Sequence, residues 1–299
     1  MKQIIPPVDK ELLLEDLSLL EKVRDTRHGG NEIYVFDANH SPNLMREVAR
    51  LREEAFRSGG GGSGEELDID EDDTAEDGYS QLIAWDPKAQ EIVGGYRYII
   101  CHQPDQHHLS TEHYFKFSKL FRDDYLPHTI ELGRAFVQLI YQAAGDASSI
   151  FALDNLWDGI GALIALHPEA EFLLGKVTIY SSYNEEARNM LFYFLHRYFP
   201  DRQHLIEGIH PLEMNIDTEK FDKIFVGETY AENYNILRNS IRGYKEMIPP
   251  LINAYMNLSS SMKVFDTITN EELGGLYDTG ILISIKDIYP EKYERYTKF

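Results

Sequence analysis

The stretch Thr129-Ile130-Glu131-Leu132-Gly133-Arg134-Ala135-Phe136-Val137 places two charged side chains in an otherwise apolar segment. Its β-branched and aromatic residues predict a buried strand over 129–137. A charge in such a strand is costly unless it is paired or hydrogen-bonded, and a glycine there marks a bulge or the close approach of a ligand. Two interpretations stay open: a structural Glu131–Arg134 ion pair, or an active-site strand in which Glu131 handles a proton and Gly133 frees a backbone N–H.

The composition indicates a globular chain that is long enough to bury a substantial core, with 299 residues of which 43% are hydrophobic. No apolar run approaches the roughly 18–20 residues that a bilayer-spanning helix needs, and the first residues lack the core of a secretory signal. A single cysteine, Cys101, excludes an intrachain disulfide and suits a reducing compartment. We therefore expect a cytoplasmic protein, and no boundary in the sequence requires more than one domain over 1–299.

The formal net charge of −21 narrows the classes of partner. Nucleic-acid binding needs clustered Lys and Arg, and an anionic membrane surface attracts basic segments, so the charge argues against both as broad electrostatic partners. The negative net charge suits a substrate that carries an amine. An acidic carrier protein would need a local basic patch, and the sequence does not show where that patch lies.

Hydrophobic periodicity predicts strands and helices that alternate along the chain. The predicted helices cover 9–22, 43–57, 151–167, 184–198 and 249–256. The predicted strands cover 32–36, 82–85, 92–100, 129–137, 173–180, 262–265 and 280–285. Arg97 is therefore, like Glu131, a charge inside a strand-like run. Residues 206–247 are polar, and we expect them to form a helical cap over a substrate groove.

Residues 58–77 have the composition of a flexible segment. Residues 58–64 read Ser-Gly-Gly-Gly-Gly-Ser-Gly, which is typical of a linker. Residues 65–77 hold nine carboxylates and no basic residue. Such a run predicts a solvated or disordered acidic loop.

Neither of the two metal-like patterns in the chain fits its template. In a calcium loop that starts at Asp68, the sixth position is Asp73 instead of Gly and the twelfth is Tyr79 instead of Glu. The stretch Cys101–His108 holds one cysteine and three histidines at spacings that match no standard zinc site. We expect no metal at either place.

Charged and aromatic residues in apolar surroundings form an ordered series along the chain. The series comprises Arg52 and Phe56 four apart on one helix face, Asp70-x-x-Asp73, Arg97, and Glu131-x-x-Arg134. It resembles the pattern of the acyl-homoserine-lactone synthases and of the hemolysin-like N-acyltransferases that make N-acyl amino acids and ornithine or glycine lipids. The stretches 249–255 and 278–283 resemble the second group, and the resemblance covers roughly residues 26–284.

The resemblance implies the GNAT-type acetyltransferase fold, an α/β architecture with a mixed, twisted sheet and helices on both faces. Two central strands splay apart in that fold to admit a pantetheine arm, and here they would be 129–137 and 173–180. Residues 154–162 carry acidic residues where acetyltransferases of this fold place a glycine-rich loop for the coenzyme A pyrophosphate. This departure favours a phosphopantetheine on an acyl carrier protein over free acetyl-CoA.

The resemblance also implies an activity, the transfer of a long acyl chain from a thioester to the amine of a small amino acid such as glycine or ornithine. Under it, Glu131 is the general base, directly or through a water chain, and a backbone N–H at Gly133 holds the thioester oxygen. Arg97 or Arg134 would bind the acceptor's carboxylate, and Asp70 and Asp73 would hold its ammonium. Arg52 and Phe56 complete the expected substrate-binding residues. We expect the acyl chain to lie among Phe136, Leu139, Trp157, Leu163 and Phe172.

The co-substrate under this interpretation is an acyl-phosphopantetheine thioester, either acyl carrier protein or acyl-CoA, and no cofactor is bound permanently. The acyl carrier protein would be a partner, and a lipid product suggests peripheral contact with the inner face of the membrane. Two alternatives stay open. A lactone-forming signal synthase would need a site for S-adenosylmethionine that the sequence does not show, and a catalytically silent acyl-binding protein would keep the fold without turnover.

Overall fold

The structure, a computed structural model, describes residues 1–102, 109–142, 147–214 and 216–298. Most of the stretch considered above for zinc, residues 103–108, lies outside them. None of the described helices combines the length and apolar character that crossing a membrane requires.

Strands and helices alternate along the chain as the hydrophobic pattern predicts. The strands are β1 (Lys22–Asp25), β2 (Glu32–Phe36), β3 (Ser80–Asp86), β4 (Glu91–Ile100), β5 (Phe115–Phe117), β6 (Thr129–Val137), β7 (Phe172–Ile179), β8 (Ile206–Gly208), β9 (Lys263–Asn270) and β10 (Leu276–Ser284). The helices are α1 (Lys10–Leu17), α2 (Pro42–Ser58), α3 (Glu71–Thr74), α4 (Ala147–Leu166), α5 (Glu185–Tyr198), α6 (Thr218–Ile224), α7 (Tyr230–Gly243), α8 (Pro250–Met256) and α9 (Pro290–Thr297).

The N-terminal helix is shorter than the predicted range 9–22. α1 ends at Leu17, and the chain is already extended in β1 from Lys22 onward. β1 pairs antiparallel with β2. The backbone of β1 thus finds its partners in a neighbouring strand, which the local leucine pattern does not reveal.

Residues 206–247 contain β8, α6 and α7. β8 pairs with β5 in a small second sheet. The two helices pack against α5, and Phe221, Leu237 and Ile241 lie in the apolar cluster that α5 shares. That this region caps a substrate groove stays a prediction.

Eight of the described strands form one mixed sheet in the order β1-β2-β3-β4-β6-β7-β10-β9. Its neighbours are antiparallel except β6 and β7, which run parallel. These two pair only from Thr129–Phe172 to Leu132–Gly175. Beyond that point β6 continues against β4, and β7 continues against β10. The central strands β6 and β7 therefore separate beyond Leu132 and Gly175, and we call the opening between them the splay. The predicted GNAT-like architecture is confirmed.

A β-bulge interrupts β6 just after the splay begins. Gly133 pairs with Arg97 and Phe136 pairs with Gly95, so Arg134 and Ala135 together face a single residue of β4. Arg134 has a φ of 52°, in the left-handed region. The bulge thus lies one residue beyond Gly133. A bulge leaves the backbone groups of its extra residue without partners in the ladder. The predicted free N–H beside the splay requires such a residue.

The two faces of the sheet differ in character. One packs against α4 and α5 through an apolar cluster that includes Leu82, Leu132 and Val177. The other, which we call the polar face, carries in its centre Gln81, Arg97, Glu131 and Lys176. Side chains alternate between the faces along each strand, so these residues of four neighbouring strands reach the same side.

Residues 154–162 lie in the middle of α4, so the comparison with a pyrophosphate-binding loop at a helix N-terminus was wrong. Close packing accounts for the glycines at positions 159 and 161. A Cβ at Gly161 would lie 2.0 Å from the carbonyl oxygen of Tyr296 in α9, and one at Gly159 would lie 2.6 Å from a methyl group of Leu82. Asp154 and Asp158 accept hydrogen bonds from the protein itself, from Arg295 and from the backbone of residue 27. The preference for an acyl carrier protein therefore needs other support.

The glycine-rich segment is ordered around Glu53 of α2. The buried Glu53 carboxylate accepts hydrogen bonds from Arg57 Nε (2.6 Å), from the backbone N–H and hydroxyl of Ser63 (both 2.9 Å), and from the N–H of Gly64 (2.8 Å). A Cβ at Gly59 would lie 2.2 Å from the Tyr180 ring at the end of β7. The flexibility expected from composition is therefore not what the structure shows, because composition does not reveal that a buried carboxylate accepts these hydrogen bonds.

We expect Glu53→Gln to loosen this segment. Burial raises the pKa of Glu53, but the hydrogen bonds from Arg57, Ser63 and Gly64 outweigh it and hold the pKa below its usual value. The amide substitution turns one acceptor oxygen into a donor and leaves partly buried donors unpaired, which costs roughly 1 kcal/mol. Hydrogen exchange over residues 58–70, measured by mass spectrometry, should become faster.

The neighbouring Glu54→Gln is the matched control, because Glu54 is more exposed and pairs with Arg50 at 3.2 Å. It should leave exchange over 58–70 unchanged. Equal exchange in both variants would show that Glu53 does not order the segment.

Candidate active site

Three arginines and four aspartates form one ion-pair network on the polar face. Arg52 Nη1 lies 3.1 Å from Asp73. Arg97 contacts Asp70 (2.6 Å), Asp72 (3.0 Å) and Asp73 (3.3 Å). Arg134 contacts Asp70 at 3.0 Å and also pairs with Asp68. Residues 65–77, which we call the acidic segment, were predicted to be solvated or disordered. The segment is instead fixed to the sheet, because its carboxylates neutralise guanidiniums that come from elsewhere in the chain.

Local structure positions the aspartates. Asp70 is the N-cap of α3, where its side chain accepts from the N–H of Asp73 at 3.1 Å and the Asp73 side chain accepts from the N–H of Asp70 at 3.3 Å. This reciprocal capping box turns both carboxylates toward the sheet. Gln81 of β3 donates to Asp73 at 2.9 Å and accepts from Arg52.

Burial divides the network into an inner and an outer part. Arg52 and Asp73 are 0% and 2% exposed, so they hold the segment in place and do not face a substrate. The Asp70 and Arg134 side chains are 33% and 21% exposed, and they form the reachable edge. Phe56 packs against the apolar cluster beneath α2. Arg52 and Asp73 thus have structural contacts instead of the predicted substrate contacts, whereas the substrate contact of the partly exposed Phe56 stays a prediction.

Electrostatics makes this network dependent on ionised carboxylates. Burial raises the pKa of Asp73, but the Arg52 and Arg97 guanidiniums outweigh it and hold that pKa well below its usual range. Burial lowers the pKa of Arg97, and Asp73 and Asp70 more than reverse the effect. A depressed aspartate pKa stabilises the fold above the unfolded-state pKa, and this stabilisation is lost as the pH falls through the folded value.

Glu131 is fully buried. Its Oε1 accepts hydrogen bonds from Ser110 Oγ (2.7 Å), Thr111 N–H (3.1 Å) and Thr111 Oγ1 (3.0 Å). Arg134 pairs with aspartates instead, so the structural Glu131–Arg134 ion pair does not form. The Glu131 carboxylate does not itself face solvent. Ser110 is partly exposed, and its Oγ contacts Glu131 and lies 4.0 Å from a Cβ built at Gly133.

The structure leaves room for a methyl group over Gly133. A Cβ built there would come no closer than 3.6 Å to Arg97 and 4.0 Å to Ser110 Oγ, which are ordinary contacts. Neither the backbone nor the packing of this chain therefore requires a glycine at this position. This methyl-sized space borders the bulge on one side and the Ser110 hydroxyl on the other.

Sequence reasoning missed Lys176 and Ser110. Lys176 Nζ donates to the carbonyl oxygen of Ser110 at 3.3 Å and lies 5.6 Å from the ring centroid of Tyr114. A lysine within the apolar run of β7 is the same anomaly that singled out Arg97 and Glu131, so the signal was present. Ser110 has no comparable signal, because a serine in a polar loop is ordinary.

A second set of buried polar groups lies beside Lys176 on β9 and β10. Asp278 accepts from Thr178 Oγ1 at 2.6 Å and from Asn270 Nδ2 at 2.8 Å. Asn270 in turn accepts from the Tyr114 hydroxyl at 3.2 Å. These hydrogen bonds hold the side chains on the β7 side of the splay in place.

The residues predicted to hold the acyl chain do not form one groove. Phe136 belongs to the apolar cluster under α2, Trp157 and Leu163 belong to the cluster on the opposite face, and Phe172 packs against a third cluster. Leu139 lies in a short turn after β6. A groove of about 410 Å³ borders Trp157 between α4, α8 and α9.

Known proteins that are similar to this chain indicate its family. A family model described as an acetyltransferase (GNAT) domain matches residues 51–150. Two proteins named glycine N(alpha)-acyltransferase are similar over 99% of this chain. The one from Phocaeicola vulgatus is 45% identical, with 93% of its own length covered, and the one from Bacteroides thetaiotaomicron is 46% identical, with 90% covered.

Among solved structures, a CoA-dependent acyl-homoserine lactone synthase aligns with 89% of this chain and 95% of its own, at 11% identity and a TM-score of 0.36. The similarity to the two glycine N(alpha)-acyltransferases extends over nearly the whole chain at a level that establishes common family membership. This chain therefore belongs to their family and is an acyltransferase with the GNAT fold.

Proposed function

We propose that this chain transfers a long-chain acyl group from a thioester to the amine of glycine. One observation carries the proposal: β6 and β7 separate directly beside a buried carboxylate that a partly exposed hydroxyl connects to the opening. The two glycine N(alpha)-acyltransferases support the choice of acceptor. Ornithine, the other acceptor considered, has no comparable support.

The reaction forms a C–N bond and breaks a C–S bond. Glycine enters as an ammonium, so one proton must leave before the nitrogen attacks the thioester carbonyl. We assign this proton to Glu131, with Ser110 Oγ as the relay, because the Ser110 hydroxyl already donates to Glu131 Oε1 at 2.7 Å. After attack, a second proton leaves nitrogen and the expelled thiolate gains one, so the products are an amide, a thiol and one proton released to solvent.

Charge that develops on the carbonyl oxygen needs a donor at the splay. The bulge at Arg134 and Ala135 takes backbone N–H groups out of the β4–β6 ladder next to the space over Gly133. Removal of one side-chain donor to such an oxygen costs about 10²–10³ in rate in other enzymes. The exposed edge of the network, above all Asp70, is placed to attract the incoming ammonium.

For the donor, we propose an acyl carrier protein. α7 ends in a basic patch, which we define as Arg238, Arg242 and Lys245. All three side chains are exposed, and none forms an ion pair with a described residue. Met247, just beyond them, is 71% exposed. In a chain of net charge −21, such a patch fits an acidic partner that also presents apolar residues.

The basic patch is also close to the open end of the splay. The hydroxyl of Tyr183 donates to the Met247 carbonyl at 3.0 Å, and the N–H of Asn184 donates to Glu246 at 3.0 Å. Tyr183 and Asn184 lie between β7 and α5, where the parallel strands end. A carrier protein on the patch would deliver its pantetheine arm from this end.

Gly133→Ala is expected to abolish most activity without unfolding the protein. The methyl group fits against Arg97 and Ser110 at ordinary distances, but it fills the space that we assign to the thioester. The rate of glycine-dependent thiol release should fall at least 10-fold, and the melting temperature should stay within about 2 °C. Full activity in this variant would place the thioester elsewhere.

Arg238→Glu combined with Arg242→Glu should weaken carrier-protein binding selectively. We expect KM for a long-chain acyl carrier protein to rise about 10-fold, because two favourable charges become repulsive, while KM for the matching acyl-CoA changes little. Arg202→Glu, at another exposed arginine, is the control and should affect neither donor. An unchanged KM for the acyl carrier protein would rule out this patch as its docking site.

A further inference from the structure

The cations of the polar face differ in how their charge is compensated. Arg52, Arg97 and Arg134 each form ion pairs with aspartates of the acidic segment. Lys176 forms no ion pair with a described residue. Its Nζ donates one hydrogen bond, to the Ser110 carbonyl oxygen, and lies over the Tyr114 ring. An ammonium group has three donor hydrogens, so Lys176 retains donors for a further acceptor.

Lys176 also lies at the point of separation of β6 and β7, where the proposed function places both substrates. It is the first residue of β7 beyond the last pair with β6, Leu132–Gly175. Its side chain is partly exposed, and Ser110 bonds both to Lys176 and to Glu131. The ammonium therefore lies on the same side of the sheet as the proton relay and the space over Gly133.

The surroundings of Lys176 leave its positive charge under-compensated. Burial lowers the pKa of Lys176, and the nearby negative charges of Glu131 and Asp278 only partly offset this effect. The guanidiniums of Arg97 and Arg134 act in the same direction as burial. An anion that arrives at Nζ supplies the missing compensation, and the anion that the reaction brings is the carboxylate of the amino acid.

We propose that Lys176 binds the α-carboxylate of the acceptor and thereby selects glycine over amines without a carboxylate. The inference rests on the proposed function. It replaces the assignment of this carboxylate to Arg97 or Arg134, whose Nη atoms already donate to aspartates. One carbon separates the amine of glycine from its carboxylate, so a carboxylate at Lys176 keeps the amine near the Ser110 hydroxyl.

Comparing glycine with glycinamide as acceptors tests the inference, since glycinamide has the same amine but no carboxylate. Initial rates of thiol release are measured with one long-chain acyl thioester for the wild type, Lys176→Met and Lys176→Arg. We expect Lys176→Met to lose roughly 10- to 100-fold in kcat/KM for glycine, mostly through KM, and less than about 3-fold for glycinamide. Lys176→Arg keeps the charge and should keep most of the preference for glycine.

Lys286→Met is the control, because Lys286 is exposed in the turn after β10 and should leave both acceptors unaffected. A Lys176→Met enzyme that retains the wild-type ratio of glycine to glycinamide activity overturns the inference. If Lys176→Met unfolds, Lys176→Gln provides the same comparison. A wild type that acylates neither acceptor would instead refute the proposed function.

Discussion

Four aspartates and three arginines compensate one another on the polar face, and the position of the acidic segment depends on that balance. None of these charges is stable in the interior alone, and removing one partner of a buried pair typically costs roughly 3–5 kcal/mol. Arg52 and Asp73 form the sealed inner part, whereas Asp70 links Arg97 to Arg134 at the edge. A segment whose composition suggests disorder thereby becomes a fixed wall beside the splayed strands.

In the proposed function, acyl transfer takes place where β6 and β7 separate beside this segment. Because β6 and β7 pair only as far as Leu132 and Gly175, the next residues on each strand, Gly133 and Lys176, border an opening instead of a ladder. Alternation along the strands puts the Glu131 side chain on the same face. The sheet thus brings together a carboxylate with its hydroxyl neighbour, a bulge and an ammonium, and the proposed reaction assigns a role to each of them.

The sequence predicts the strands and helices that have strong periodicity, and it singles out Arg97, Glu131 and Arg134 because charges are rare in apolar strands. It does not predict their partners. Glu131 meets Ser110 and Arg134 meets Asp68 across gaps of 21 and 66 residues, and only the tertiary fold creates such contacts. The error at residues 154–162 has a related cause, since glycines that allow α4 to approach α9 look the same in sequence as glycines of a phosphate loop. Lys176 was within reach of the same reasoning and was overlooked.

The most direct test of where acyl transfer occurs is Glu131→Gln, assayed both for unfolding and for single-turnover release of free thiol in the presence of glycine. The glutamine oxygen can still accept from Ser110 and Thr111, so we predict a melting temperature within about 3 °C of wild type. Loss of the proton acceptor should slow thiol release roughly 100-fold or more. Release at the wild-type rate from a folded variant would contradict this account, and a large loss of stability would identify Glu131 as a structural carboxylate instead.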